Sequence, residues 1–290
     1  MQMNFPLLNK IALVTGASRG LGAAIALRLA HDGASLALVA RDAAALESFL
    51  PRLRDARVAQ TQQFRFFPAD LSQESQSHSV AEAVTNRMGG VDILVNNAAI
   101  QGPIGALDAV DWNDWRAVFD VNLFAPALLS QLLIPVMRSR GGKIINVSGG
   151  GATGPRPDFS AYAASKCALV RLTETLAEEV KSHRIDVNAV APGPMNTRML
   201  DEVLAAGSSA APREYAAAVE RKRAGGTPPD KAAALVAWLA SPASDGITGK
   251  LISAVWDDWE TLAERRDELA GSEVYTLRRV TPKEEMVRHG

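Results

Sequence analysis

The sequence predicts an α/β fold in which a doubly wound parallel sheet of about seven strands carries helices on both faces. Short β-branched apolar runs alternate with longer Ala- and Leu-rich segments of helical period along most of the 290 residues. A glycine-rich turn also follows the first apolar run and precedes the first helical segment. Such a turn is typical of Rossmann-type sheets, which bind ligands at the carboxyl ends of their strands.

Strands are predicted where the β-branched apolar runs occur. They are Ile11–Thr15, Ser35–Ala40, Gln63–Pro68, Val91–Val95, Lys143–Val147, Arg184–Val190 and Lys250–Ser253. The short length of these runs and their β-branched residues favour strands over buried helices. Each run except the last is followed by a segment of helical period, as a parallel sheet with crossover helices requires.

The segments of helical period predict the helices. They are Leu21–His31, Ala43–Arg54, a polar helix from Ser72 to about Gly89, Trp112–Arg140, Phe159–Ser182, Thr197–Ala224 with a mobile loop at Ala205–Pro212, and Pro229–Leu239. Asp42 and Ser72 are expected to cap the helices that follow them, because their side-chain oxygens can accept bonds from free N–H groups. Pro126 and Pro135 predict bends in the long helix.

The composition excludes several classes of protein. A hydrophobic fraction of 47% and a charged fraction of 22% indicate an ordinary soluble globule, and 31 basic residues nearly balance 32 acidic ones, so no basic field can gather nucleic acid. The chain opens without a secretory signal, and no uninterrupted apolar stretch reaches the roughly 18–20 residues that span a membrane. With Cys167 as the single cysteine, these features predict a cytoplasmic protein without a membrane partner.

Residues 1–254 are predicted to form a single domain, because no linker or repeat divides the pattern. Residues 255–290 are more polar and are expected to form a C-terminal appendage, not a separate domain. Trp256 and Trp259 are too apolar to remain in water, so both are expected to anchor this appendage on the body or on a neighbouring subunit. A charged amphipathic segment, with charges spaced for a helix surface, covers Thr261–Leu269.

The segment Thr15–Gly22, with the sequence TGASRGLG, lies between the first predicted strand and the first predicted helix. Gly16, Gly20 and Gly22 can adopt positive φ and let the backbone approach a pyrophosphate closely. The helix that follows presents free N–H groups and its positive dipole end to such an anion. A dinucleotide-binding turn is therefore predicted, and the alternative is a tight strand–helix turn without a ligand.

The end of the second strand bears on the choice between NAD and NADP. NAD-binding sheets usually place an acid here for the adenosine ribose, whereas this chain has Ala40 followed by Arg41. Arg41, together with Arg19 of the glycine-rich turn, is expected to bind a 2′-phosphate, which favours NADP(H). Alternatively both arginines are solvated surface residues, and Asp42 makes NAD(H) binding possible.

A second constellation consists of Ser148, Tyr162 and Lys166. Tyr162 and Lys166 are four residues apart, so both side chains lie on one face of the predicted helix. The Lys166 ammonium is expected to favour the phenolate form of Tyr162, which can then act as an acid or base near neutral pH. Ser148 ends the fifth strand at the ligand-binding edge, where its hydroxyl can bond a substrate oxygen. A lone Tyr-x-x-x-Lys pair on an exposed helix is the alternative.

In this order the motifs resemble those of the short-chain dehydrogenase/reductase family, from about Leu8 to Ser253. The glycine-rich turn is similar to the family's Thr-Gly-x-x-x-Gly-x-Gly, and Asn96–Ala99 is similar to its Asn-Asn-Ala-Gly, with Ala99 in place of glycine. The resemblance implies four catalytic residues, which are Asn122, Ser148, Tyr162 and Lys166. In the family, the residue at Asn122 binds a water that links the lysine to solvent.

The resemblance also implies which residues contact the cofactor. They are Thr15, Gly16, Ser18, Arg19, Gly20, Leu21, Gly22, Arg41, Asp70, Leu71, Asn97, Ala98, Tyr162, Lys166, Pro192, Gly193 and Thr197. Family members assemble as homodimers or homotetramers, so the same is expected here. No metal site is expected, because the four histidines lack ligand spacing.

The activity implied is that of an NAD(P)(H)-dependent oxidoreductase that moves a hydride between nicotinamide and a small carbonyl compound or secondary alcohol. One alternative is a catalytically inactive, cofactor-binding regulatory protein, which has no need of all four catalytic residues. Another is a nucleotide-sugar epimerase or dehydratase, which usually has a larger C-terminal domain than this appendage. Residues 195–224 are expected to form a lid over an apolar pocket with a basic rim, suited to a carbonyl compound with an anionic group.

Overall fold

The computed structural model describes residues 5–281, and in these residues seven parallel strands form one sheet. The strands are β1 (Ile11–Thr15), β2 (Ser35–Ala40), β3 (Phe64–Pro68), β4 (Ile93–Asn96), β5 (Gly142–Val147), β6 (Ile185–Ala191) and β7 (Leu251–Ser253). Their order is β3-β2-β1-β4-β5-β6-β7. The chain order therefore reverses between β1 and β4, and a ligand crevice is expected at the carboxyl ends of these two strands.

The strands alternate with helices. They are α1 (Gly20–His31), α2 (Ala43–Asp55), α3 (Glu74–Met88), α4 (Trp112–Phe119), α5 (Ala125–Met137), α6 (Ser160–Val180), α7 (Arg198–Ala206), α8 (Pro212–Ala224), α9 (Pro229–Ala240) and α10 (Arg266–Leu269). One face of the sheet packs on α1, α2 and α9, and the other packs on α3, α5 and α6. The predicted doubly wound fold with about seven strands is confirmed.

The caps of two helices were predicted, and one prediction is wrong. Asp42 caps α2, because its Oδ1 accepts a hydrogen bond of 3.0 Å from the Ala45 N–H. Ser72 does not cap α3, which has Gln73 at its N-cap position. The Ser72 hydroxyl instead donates to Asp70 Oδ1 at 2.9 Å, since the chain turns once more before the helix begins.

The predicted long helix is divided by a wide π-turn at Asp120–Phe124, so the interruption lies before Pro126, and α5 continues through Pro135. In this turn the Ala125 N–H bonds the Asp120 carbonyl, five residues back, and the Pro126 that follows has no N–H to donate to the Asn122 carbonyl. Within the described residues, Trp112–Met137 is the one helical run long and apolar enough to cross a membrane. This is weak evidence, because buried core helices pass the same test.

The described part of the appendage, residues 255–281, packs on the body. Leu262 and Leu269 are buried in the core beside α9, and the Trp259 ring lies 5.9 Å from that of Trp238. Trp259 therefore anchors the appendage on the body. Trp256 is 71% exposed and makes no such anchor on this chain, so its predicted contact with a neighbouring subunit stays a prediction. Only the end of the amphipathic segment is helical, in α10. Residues 282–290 lie outside the described residues, and the division at residue 254 stays a prediction.

Candidate active site

A cleft of about 610 Å³ opens at the carboxyl ends of the central strands, where the strand order reverses. Most of the predicted site residues line it. They are Gly16, Ser18, Arg19, Gly20, Leu21, Gly22, Arg41, Asp70, Leu71, Asn97, Ala98, Ser148, Tyr162, Lys166, Pro192 and Thr197. The fold thus brings the glycine-rich turn and the Ser-Tyr-Lys constellation to one cavity, which is large enough for a dinucleotide to enter.

The glycine-rich turn has the close approach that its sequence predicts. A Cβ on Gly22 would lie 2.2 Å from the Gly16 carbonyl oxygen, so only glycine lets α1 pack this tightly on the turn. Gly20 has a φ of +55°, and a Cβ there would meet nothing within 4 Å. Helix α1 begins at Gly20 without a side-chain cap. Its first N–H groups can therefore bind a pyrophosphate.

Two predicted cofactor residues, Thr15 and Gly193, do not line the cleft. Thr15 is buried, and its Oγ1 accepts hydrogen bonds from the N–H groups of Asn97 at 2.9 Å and Ala98 at 3.0 Å. It therefore ties the end of β1 to the segment after β4. Gly193 has a φ of +84° and packs against the side chain of Val255, since a Cβ at Gly193 would lie 2.5 Å from Val255 Cγ2.

Asn122, in the π-turn, is fully buried and also lies outside the cleft lining. Its Oδ1 accepts from the Ile100 N–H at 2.9 Å, and its Nδ2 donates to the Ile100 carbonyl at 2.9 Å and to Ser165 Oγ at 3.1 Å. The side chain therefore joins the loop after β4 to α6. The predicted role of Asn122 in holding a water near Lys166 stays a prediction.

Burial dominates the electrostatics of Tyr162 and Lys166 in the chain alone. Lys166 is 2% exposed, its Nζ donates to the Val147 carbonyl at 2.8 Å, and burial lowers its pKa to about 7. Burial raises the pKa of the Tyr162 phenol above its ordinary value of 10, and the charge of Arg156 opposes that rise. The Lys166 Nζ lies 5.8 Å from the centre of the Tyr162 ring. Desolvation is therefore the largest cause of both pKa shifts. The effect on Tyr162 expected from Lys166 together with a positively charged nicotinamide stays a prediction.

Ser148 is buried, and its Oγ has no hydrogen-bond partner among the described residues. Its backbone N–H is bonded to Val190 at 2.8 Å, which fixes the residue at the end of β5. A buried hydroxyl without a partner is costly, and a ligand oxygen in the cleft would satisfy it. The hydroxyl therefore fits a substrate site beside a bound nicotinamide.

The residues at the end of β2 suit the adenosine end of a dinucleotide. Ala40, Arg41 and Asp42 all line the cleft, and Arg41 is exposed. Asp42 uses one carboxylate oxygen to cap α2. Asp70, at the end of β3, accepts at Oδ1 from the Ser72 N–H at 3.0 Å, which holds its carboxylate at the cleft.

Two further residues near the site were not found from the sequence. Gln101 is buried, lines the cleft, and donates from Nε2 to the Met199 carbonyl at 3.3 Å, which connects the segment after β4 to α7. The Arg156 guanidinium lies near the rings of Phe159 and Tyr162 and forms an ion pair with Glu214 of α8. No motif marks either residue, because each depends on contacts with a distant part of the chain.

The sequence pattern of the short chain dehydrogenases matches residues 10–207. The chain belongs to this family. Dehydrogenase/reductase SDR family member 4 of Homo sapiens is 39% identical to it over 193 residues, 66% of this chain and 68% of that protein. Galactitol 2-dehydrogenase of Agrobacterium fabrum is 32% identical over 258 residues, 87% of this chain and 98% of that protein.

Solved structures of the same family are also similar to this short-chain dehydrogenase. Levodione reductase superposes with a TM-score of 0.78 at 28% identity and covers 89% of this chain and 99% of its own. NAD+-bound xylitol dehydrogenase superposes with a TM-score of 0.75 at 26% identity and covers 85% and 98%. The predicted family is confirmed, and with it an oxidoreductase that transfers a hydride with a nicotinamide cofactor and acts on a small molecule.

Proposed function

We propose that this short-chain dehydrogenase interconverts a carbonyl compound and a secondary alcohol, with Tyr162 as the acid/base. The observation that carries the proposal is the unpartnered Ser148 hydroxyl, which lines the same cleft as the Tyr162 side chain and the glycine-rich turn. A substrate oxygen that accepts from Ser148 fills the bonding capacity of this buried group. The inactive regulatory alternative has no use for such an arrangement.

In the reducing direction, a bound nicotinamide supplies hydride to the carbonyl carbon. Tyr162 donates its proton to the substrate oxygen as negative charge develops there, and Ser148 donates a hydrogen bond to the same oxygen. The raised pKa of Tyr162 keeps that proton on the phenol at neutral pH. In the oxidising direction Tyr162 must first lose the proton, so we expect alcohol oxidation to accelerate as the pH rises.

We propose NADP(H) as the preferred cofactor, with NAD(H) as the alternative. Arg19 and Arg41 both line the cleft and are exposed to it, and the end of β2 offers Ala40 where NAD-binding sheets usually carry an acid. Asp42 is engaged as the cap of α2. The related xylitol dehydrogenase was solved with NAD+ bound, which supports NAD(H) as the alternative.

For the substrate we propose a small neutral carbonyl compound or alcohol, which replaces the expectation of an anionic one. Arg198 of the lid forms an ion pair with Glu202 at 3.0 Å, and Lys222 forms one with Asp201 at 2.5 Å. Arg198, Asp201 and Glu202 line the cleft, so this part of its rim carries charges of both signs, and the Arg198 cation has an acidic partner. The relatives named for galactitol and levodione give two neutral starting points for a substrate screen.

The oligomeric state and the cellular location of the protein are proposals as well. We propose a homodimer or homotetramer, because Trp112, Phe124 and Trp256 each expose more than half of their surface, and large exposed apolar side chains favour association. We propose a cytoplasmic location, because the single Cys167 fits a reducing compartment.

The test replaces Tyr162 by phenylalanine, which removes the transferable proton and keeps the ring. Purified wild type, Tyr162→Phe and Tyr275→Phe, a tyrosine in the appendage, are screened against neutral ketones, polyols and anionic carbonyl compounds by following NADPH absorbance. We expect Tyr162→Phe to lose at least roughly a hundredfold in turnover with cofactor affinity unchanged, and Tyr275→Phe to match wild type. Near-normal turnover of Tyr162→Phe would contradict the proposed role.

A further inference from the structure

Three glycines follow Ser148, and they allow an unusually close packing around Tyr162. A Cβ on Gly149 would lie 2.4 Å from the Tyr162 hydroxyl oxygen. A Cβ on Gly151 would lie 3.2 Å from Arg156 Cβ, and Gly151 has a φ of +93°. The glycine segment therefore lies directly on both Tyr162 and Arg156. Side chains at these glycine positions would push the segment away from both residues.

The position of the Arg156 guanidinium is fixed from two sides. It stacks on the Phe159 ring, with its central carbon 3.9 Å from the ring centre, and lies 5.4 Å from the centre of the Tyr162 ring. Glu214 of α8 binds it through two hydrogen bonds, 3.2 Å from Nε and 2.9 Å from Nη2. A two-point bond to a planar guanidinium holds both position and orientation.

We propose that Arg156, held by Glu214 of the lid, is a positioning residue whose charge favours the ionised form of Tyr162. The inference rests on the proposed function, in which Tyr162 gains and loses a proton. A fixed cation favours a phenolate where water is excluded, and Tyr162 is only 6% exposed. The paired Glu214 carboxylate weakens this effect without abolishing it, so the expected shift is modest. The ion pair thereby joins α8 to the residue whose guanidinium lies beside the Tyr162 ring.

The other charged groups around Tyr162 do not replace Arg156. Lys166, on the same helix, has a pKa near 7, so it is neutral in the alkaline range where a buried phenol ionises, whereas an arginine keeps its charge there. The ion pair with Arg156 lowers the pKa of Glu214 and keeps it an anion. Charged residues also stand on the loop before α6, on α7 and on α8. They are Asp158, Arg198, Asp201, Glu202 and Arg221.

The test follows the ionisation of Tyr162 directly and needs no substrate. The chain has three tyrosines, so protein labelled with ¹³C at the phenol carbon gives three signals, and the signal lost in Tyr162→Phe is that of Tyr162. Its midpoint is measured by NMR titration in wild type, Arg156→Met, Arg156→Lys and Arg87→Met, an exposed arginine on α3 as the matched control. Near-UV circular dichroism confirms that each variant is folded.

We expect the Tyr162 midpoint to rise by about 0.5–1 pH unit in Arg156→Met, by less in Arg156→Lys, and not at all in Arg87→Met. The alkaline limb of the pH profile for alcohol oxidation should move by the same amount. If Arg156→Met does not fold, Arg156→Gln carries the same expectation, because its amide can still donate to Glu214. Equal Tyr162 midpoints in wild type and in Arg156→Met, or in its substitute Arg156→Gln, overturn the inference. So does the finding that Tyr162 ionises in neither protein before the protein unfolds. Such results leave the Tyr162→Phe test of the proposed function intact.

Discussion

Replacing Lys166 by methionine should change how the stability of the chain depends on pH. Lys166 is buried with the Val147 carbonyl as its hydrogen-bond acceptor, and its pKa falls from 10.5 in the unfolded chain to about 7 in the folded one. Between these values the unfolded state binds a proton that the folded state does not. Stability contributed by this group therefore rises with pH from about 7 to about 10.5, and below that window the full penalty of burying the lysine is present.

The magnitude follows from the width of the window. Within it, one pH unit is worth at most about 1.4 kcal/mol, so we expect wild type to gain about 2 kcal/mol relative to Lys166→Met between pH 8 and pH 9.5. Methionine has a similar length and no charge, so the variant should be more stable than wild type near pH 7 and lose that advantage as the pH rises. Urea denaturation of cofactor-free protein at fixed concentration measures the difference at each pH.

The control is Lys231→Met, at an exposed position of α9. It should track wild type at every pH, because the Lys231 side chain is exposed and its replacement removes no buried group. A constant difference between wild type and Lys166→Met from pH 7 to pH 10 would refute the reasoning. It would mean that Lys166 keeps its charge in the folded protein despite its burial.

Two further predictions concern the cofactor and the appendage. Arg41→Ala should weaken binding of NADP by about 1–3 kcal/mol and leave NAD nearly unchanged, as measured by fluorescence titration; equal losses would mean that Arg41 contacts no 2′-phosphate. Trp259→Ala should lower the free energy of unfolding by roughly 1–3 kcal/mol, because its ring packs on Trp238, whereas Trp256→Ala should cost roughly 0.5 kcal/mol or less in the monomer. If Trp256→Ala lowers the mass measured by light scattering, the exposed indole lies in a subunit contact. Equal free energies of unfolding for Trp259→Ala and Trp256→Ala would contradict the packing of Trp259 on Trp238.

The seven strands of the sheet could be predicted from the sequence because the runs are local and strongly patterned. β1 and β2 begin and end at the predicted residues, and the other strands differ by a few residues at their ends. The ends differ because a strand ends where pairing with its neighbour stops. Gln63, for example, precedes β3 because its N–H bonds the Ser35 side chain. Such bonds depend on residues far away in the sequence.

The electrostatics of the site could not be predicted from spacing alone. The four-residue separation places Tyr162 and Lys166 on one face of α6, and both line the cleft. Spacing does not reveal how deeply the pair is buried, and burial decides the direction of both pKa shifts. Arg156 stands six residues before Tyr162 in a loop. Its effect on the phenol becomes visible only when α8 supplies Glu214.

The π-turn is connected to the geometry of the reacting residues through Asn122. The helix widens at Asp120–Phe124, directly before Pro126, and Asn122 in this turn is fully buried. Asn122 donates to Ser165 Oγ at 3.1 Å, and Ser165 Oγ in turn donates to the Tyr162 carbonyl at 2.8 Å. Ser165 directly precedes Lys166, so this chain of bonds fixes the turn of α6 that carries both side chains.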